Sequence, residues 1–255
     1  MISFALRQQH TSLQFSDNPK QQEHDVRALF ELGGRYPLKS GTEAGDDGKG
    51  GNTNRELLTK FAEEFDHTIN FAGDAWVAVD RKVIVPKSIT KEDVFLASND
   101  DMVGHGTDRI MPTISFEHVK PGLGRIHHAA VHYPTKGATP GSPNYDLNKK
   151  CAAGIAFWMA KVARGADLAF VSGDFNMPDR STDWSLGRNF TSMADELEAW
   201  QNTGHGPIDG FCSYDRDGRV KAHRFTVLDD SELKLFSDHF MCRGTWEVRL
   251  LEVTA

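Results

Sequence analysis

The sequence predicts one α/β or α+β domain spanning residues 1–255, and three observations predict it. Strand-like and helix-like patterns interleave along the whole chain and do not separate into an all-β and an all-α half. The length, 255 residues, with 39% hydrophobic and 25% charged side chains, suits a globular unit able to bury its own core. No internal repeat and no low-complexity tract long enough to link two domains interrupts it.

The elements follow in order. Gly41–Asn54 (GTEAGDDGKGGNTN) is read as a mobile surface loop, with a loop that closes over substrate as the alternative. Its lysine lacks the G-K-[ST] ending of a phosphate-cradling P-loop. Arg55–Phe65 places Leu57, Leu58, Phe61 and Phe65 at helical spacing, behind Asn54 as N-cap. Ala75–Val79 and Lys82–Val85 are β-like runs, with Asp80-Arg81 as the hairpin turn between them. Arg125–Tyr133 reads as a strand. A Gly/Pro-rich connector, Pro134–Asn144, leads into a helix over Leu147–Arg164 that Gly165 stops. Leu168–Ser172 has a buried-strand pattern, Met193–Gln201 a helical one, and Ile208–Tyr214, Arg224–Leu228 and Phe240–Val253 read as strands.

Composition removes several classes of function. A formal net charge of −7 argues against coating nucleic acid by bulk charge, though not against gripping a few phosphates locally. The longest run free of charged and strongly polar residues, Ala152–Ala160, is about half of what a bilayer span requires, so no membrane partner is expected. Cys151, Cys212 and Cys242 form no C-x-x-C pair, which excludes disulfide scaffolding and structural zinc and favours a reducing compartment. MISFALRQQH has no cationic lead and no cleavage-like site, so a cytoplasmic location is expected. No obligate protein partner is implied.

Four short motifs carry chemistry. Gly173-Asp174-Phe175-Asn176 directly follows a buried strand, which puts Asp174 and Asn176 on one side of the chain at a sheet's end. A carboxylate there can hold a cation or a nucleophilic water, and the amide beside it orients an oxygen without adding charge. Ser237-Asp238-His239 is not a Ser-His-Asp triad, because adjacent residues on one strand cannot converge and no G-x-S-x-G elbow occurs. Its residues make sense separately, with Asp238 facing a metal or water and His239 a phosphate. Asp209, in Ile208-Asp209-Gly210-Phe211, suits a carboxylate that fixes a histidine tautomer. His132 ends its strand before Pro134, whereas His127 and His128 are read as structural.

The order His-x-Pro, helix, strand with G-D-F-N, I-D-x-F and S-D-H resembles the endonuclease/exonuclease/phosphatase superfamily, the DNase I-like fold. That resemblance implies a four-layer sandwich of two packed mixed β-sheets flanked by helices, and a Mg²⁺-dependent phosphoesterase with Mn²⁺ as a substitute. It implies Asp174 as the residue that aligns or deprotonates the attacking water, with Asn176 orienting water and phosphate. His239 takes the place of the phosphate-contacting histidine with Asp209 as its carboxylate, and His132 that of the histidine near the leaving group. Glu43 is the candidate principal metal ligand and Asp238 a metal-side carboxylate. Thr42 stands where the family has glutamine, and either Gln14 or Asn18 replaces the first-strand asparagine.

The expected activity is hydrolysis of nucleic-acid phosphodiesters with low sequence specificity, since no base-reading motif occurs. Two alternatives remain on the sequence. One is a phosphatase or phosphodiesterase acting on a small molecule or lipid headgroup, and the other a non-catalytic binding module on the same fold.

Overall fold

The computed structural model describes residues 2–13, 18–31, 35–44, 52–103, 108–137, 140–176, 190–198, 209–228 and 240–252. Its strands are β1 (Ser3–Ser12), β2 (Leu38–Thr42), β3 (His67–Ala72), β4 (Ala75–Asp80), β5 (Thr90–Ala97), β6 (Arg109–Glu117), β7 (Arg125–His132), β8 (Leu168–Asp174), β9 (Phe190–Ser192), β10 (Asp209–Tyr214), β11 (Val220–Leu228) and β12 (Met241–Arg249). The helices are α1 (Pro19–Glu31), α2 (Asn52–Glu64), α3 (Tyr145–Val162) and the single turn α4 (Met193–Glu196). They form two six-stranded sheets, ordered β11-β12-β1-β2-β4-β3 and β5-β6-β7-β8-β10-β9. Each is mixed, with one parallel pair near its centre, β1/β2 and β7/β8.

Four layers result because strands in both sheets bury apolar side chains on both faces. In β4 (AWVAVD), Ala75, Val77 and Val79 enter the core between the sheets, alongside Leu6, Ile114, Phe116, Ile126 and Phe170. Trp76 and Ala78 point the other way, beneath Leu29 and Phe30 of α1 and Leu58 and Phe61 of α2. On the far side, Cys151, Ile155 and Met159 of α3 cover Ala129, Val131, Ala169 and Val171. The α3 crossover is what allows β7 and β8 to pair in parallel. The four-layer sandwich expected from the sequence is the one observed.

Some local expectations differ. Asp80-Arg81 is not a hairpin turn. The Asp80 carboxylate accepts from Lys82 N at 2.9 Å and caps a 3₁₀ turn over Arg81–Val83, and only Ile84 bridges to another strand, at His118. The hairpin lies one element earlier, between β3 and β4, where Gly73 (φ +54°) and Asp74 make the two-residue turn. Gly41 and Thr42 belong to β2 and not to a surface loop. A Cβ on Gly41 would collide with the Thr11 carbonyl and, at 2.5 Å, the Trp76 indole nitrogen, so only glycine lets these elements close. Residues 45–51 of that stretch lie outside the described residues, as do 199–208 beyond α4.

Buried histidines couple this core to pH. Burial pushes His67, His118 and His128 down to about 4, with Lys39 adding to the effect at His67. The fold binds their neutral forms, so the stabilisation is complete above the unfolded value near 6.5 and is lost as pH falls towards 4. Within that window each ring costs up to about 1.4 kcal/mol per pH unit, because the unfolded chain takes up the proton first. We expect a lower urea midpoint at pH 5 than at pH 7; equal midpoints would show that these rings protonate freely in the native state.

Candidate active site

The chemistry-bearing residues collect at one end of the two sheets, where the parallel strands finish. His132 is the last residue of β7 and Asp174 the last of β8, and the two are paired in register. Asp174 is also the register partner of Asp209, the first residue of the antiparallel β10. His132, Asp174 and Asp209 therefore form a row across three adjacent strands. Gly173 keeps the row tight, because a Cβ there would overlap the Val131 carbonyl.

Beyond β8, Asn176 adopts a left-handed conformation (φ +48°) that asparagine tolerates well. Its N–H donates to Asp174 Oδ1 at 2.9 Å, and its side-chain Nδ2 donates to the Tyr133 carbonyl at 2.9 Å. Phe175 points to the opposite side and meets Tyr133 edge-on at 5.4 Å. Asp174 and Phe175 alternate as expected of G-D-F-N, whereas Asn176 leaves the extended conformation on which its side was predicted.

His132 is held by a residue that sequence reasoning missed. Its Nδ1 donates to Asp74 Oδ2 at 2.6 Å, and its Nε2 lies 3.6 Å from Asp174 Oδ2. The same Asp74 oxygen accepts from Arg109 Nη1 at 2.9 Å. Burial opposes a charge on His132, but the Asp74 carboxylate outweighs it and raises the ring's pKa above the ordinary imidazole value. Asp74, pushed up by burial, is held well below the usual carboxylate range by His132 and Arg109. A signal for Asp74 was present: Gly-Asp between two apolar runs, Phe71-Ala72 and Ala75-Trp76, is a two-residue hairpin turn.

Glu43 follows β2 in a left-handed conformation (φ +59°), costly for a residue with a Cβ and side-chain methylenes. Asn54 Nδ2 donates to its carbonyl at 3.3 Å, and Gln22 of α1 donates in turn to Asn54 Oδ1. The next residue, Ala44, donates its N–H to the Asp74 carbonyl at 2.9 Å. Glu43 and the His132–Asp74 pair thus adjoin across the two sheets.

The remaining candidates divide. Asn18 caps α1, its Oδ1 accepting from Lys20 N at 3.1 Å and Gln21 N at 3.4 Å. The end of β1 beside Thr42 is occupied by Ser12, whose Oγ lies 2.5 Å from Thr42 Oγ1. Gln14, Asp238 and His239 lie outside the described residues. Asp209 is buried and faces the ring of His10 across the interface between the sheets, at 3.5 Å. His127 and His128 are indeed structural: His128 Nε2 donates to the Lys39 carbonyl at 3.0 Å, and His127 pairs with Ser115 Oγ at 2.7 Å.

The donors at this edge are carboxylate and amide oxygens, which suit a hard divalent cation rather than zinc. Among the described residues no group of three His, Cys, Asp or Glu side chains is placed to hold a metal ion.

Two mixed sheets sandwiched by helices are the architecture of the DNase I-like fold, and solved structures match this chain over nearly its whole length. The chain is similar to an endonuclease/exonuclease/phosphatase family protein from Bacteroides thetaiotaomicron, with a TM-score of 0.71 at 14% identity over 98% of this chain and 97% of that one. It is similar to D. rerio TDP2 complexed with a single-strand DNA product (TM-score 0.71, 10% identity, 95% and 98% covered). It is also similar to the mannosyl-6-phosphatase Bt3783 of Bacteroides thetaiotaomicron (TM-score 0.65, 12% identity, 94% and 99% covered). No family model matches the sequence, and no curated protein matches it. Among the described residues, no helix is long and apolar enough to cross a membrane.

Proposed function

We propose that this protein is a metal-dependent phosphoester hydrolase that directs water in line onto phosphorus, with nucleic-acid phosphodiesters as its substrate class. The observation that carries the reading is His132, poised between Asp74 and Asp174 with its pKa raised. A diester leaves as an alkoxide that needs a proton, whereas a monoester dianion needs mainly positive charge around its terminal oxygens. A cationic imidazole beside a water-aligning carboxylate meets the first demand.

In this reading Asp174 aligns the attacking water and accepts its proton, and Asn176 orients the phosphoryl oxygens. His132 Nε2 donates to the leaving oxygen while Asp74 holds the ring through Nδ1. Asp209 supports His239 on the opposite side of the phosphate. Glu43 would hold Mg²⁺, or Mn²⁺ in its place, with Asp238. Gln14 is the first-strand candidate that remains, because the Asn18 oxygen is engaged at α1. When bound, the ion supplies charge neutralisation on the non-bridging and leaving oxygens.

Support for nucleic acid comes from the likeness to TDP2 with its single-strand DNA product. The likeness to a mannosyl-6-phosphatase favours the second reading, a small-molecule phosphatase. A substrate panel separates them. Purified protein with Mg²⁺ is offered plasmid DNA, single-stranded DNA, RNA, a generic phosphodiester and a sugar phosphate. We expect diester cleavage that chelator abolishes and Mg²⁺ or Mn²⁺ restores. Turnover of the sugar phosphate alone would select the second reading, and full activity in excess chelator would remove the metal.

A further inference from the structure

We propose that His10 is a positioning residue, fixing the orientation of Asp209 from inside the sandwich; the catalytic consequence rests on the function proposed above. His10 lies on β1, on the face turned towards the second sheet, and is fully buried. Its Nδ1 is 2.9 Å from Ser40 Oγ on β2, and Ser40 Oγ is 2.6 Å from Ser172 Oγ on β8. Ser172 Oγ reaches the Ala129 carbonyl of β7 at 3.5 Å. The other ring nitrogen, Nε2, has no hydrogen-bond partner at ordinary distance among the described residues and faces Asp209 Oδ1 of β10 at 3.5 Å. Imidazole and hydroxyls thus link β1 to β10 through the dry interior, behind the row His132, Asp174, Asp209.

The tautomer follows from the charges. With the proton on Nδ1, a neutral ring would aim the Nε2 lone pair at a carboxylate in a low-dielectric interior, which is repulsive. With the proton on Nε2, the same atom becomes a donor to Asp209, and Ser40 donates its hydroxyl hydrogen to Nδ1. In that arrangement Ser40 gives its one hydroxyl hydrogen to Nδ1 at 2.9 Å and not to the Gln9 carbonyl at 3.3 Å, and Ser172 gives its own to Ser40 at 2.6 Å and not to the Ala129 carbonyl at 3.5 Å. A leucine at position 10 would fill the buried space but would take away the ring nitrogens that Ser40 Oγ and Asp209 Oδ1 face. The polar residue is explained by what it faces.

Two measurements test this. The side-chain nitrogen resonances of His10 in the intact protein should show a proton on Nε2 that exchanges slowly with solvent and a bare Nδ1. Asp209→Asn should move the Nε2 signal more than the Nδ1 signal. A proton found on Nδ1 with Nε2 bare would overturn the proposal whether or not the protein is a hydrolase. Against the best diester of the panel, His10→Leu should lower kcat on the order of 10- to 100-fold with KM unchanged, the usual scale for loss of an orienting contact. His10→Gln, which returns an amide donor near the Nε2 position, should recover much of that loss. Wild-type kcat in a folded His10→Leu protein, or equal losses in both variants, would leave His10 as packing only. Absence of any phosphoester hydrolysis in the wild type would instead overturn the functional reading, and the nitrogen resonances would still decide whether His10 orients Asp209.

Discussion

Asp174→Asn is expected to lower turnover roughly 10³-fold, within the range for loss of a general acid–base group, and to leave the fold intact. The substitution removes charge and keeps shape. Asp174 Oδ1 accepts the Asn176 N–H that closes the turn after β8, and an asparagine oxygen can accept the same bond. The loss of charge also removes repulsion from Asp209, the register partner on β10. Thermal midpoint and turnover should therefore separate, with the midpoint near wild type and turnover almost gone. Near-wild-type turnover would exclude Asp174 as the group that aligns water.

Asp74→Asn is expected to cost about 10²-fold in diester cleavage at neutral pH and to change the pH profile in a defined direction. Asp74 is the group that raises the pKa of His132. Without its charge, burial and the neighbouring Arg109 both favour the neutral ring. The proton needed by the leaving oxygen is then lost at lower pH, so the alkaline limb of the rate profile moves down and activity partly returns on acidification. Arg109 also loses its carboxylate while only 6% exposed, so a fall in thermal stability should accompany the kinetic effect. His132→Gln separates the two: it should abolish the alkaline limb and leave the Arg109–Asp74 pair in place. An unshifted pH profile in Asp74→Asn would show that His132 donates no proton.

The comparison of these two aspartates shows what was legible. Asp174 stands at the end of an apolar strand, after a glycine and before an alternating Phe-Asn, so its place follows from local pattern alone. His132 was legible for the same reason, at a strand end before Pro134. The β7-α3-β8 unit that carries both residues has clear punctuation: the Gly/Pro connector ahead of α3 and Gly165 (φ +58°) after it. Asp74 was not found, although its Gly-Asp turn is a hairpin signal, because Asp80-Arg81 competed for the same role. In the folded chain the Asp80 carboxylate caps its own 3₁₀ turn.

The N-terminal half resisted reading for a different reason. β1 and β2 carry Gln8, Gln9, His10, Lys39 and Ser40 at buried positions, so the polar–apolar alternation that marks a half-buried strand is missing. Two of them take partners remote in sequence, Trp246 Nε1 donating to Gln8 Oε1 at 2.6 Å and Gln9 Nε2 to the Leu29 carbonyl at 3.0 Å, while Lys39 Nζ donates to the nearby Tyr36 carbonyl at 2.6 Å. Burial, with Arg243 adding to it, lowers Lys39 to about 7, as a lysine taken from water requires.

By itself the sequence determined the mixed α/β class, the strand-end placement of His132, Asp174, Asn176 and Asp209, and the hard-oxygen character of the donors. These depend on residues a few positions apart, whose relation the backbone period settles. Only the tertiary structure decided that Asp74 and Arg109 stand behind His132, that Glu43 adjoins that pair through Ala44, and that His10 faces Asp209. Each of these contacts joins residues 30 or more positions apart, and a buried polar group takes its partner from whichever strand the packing of the two sheets brings opposite it.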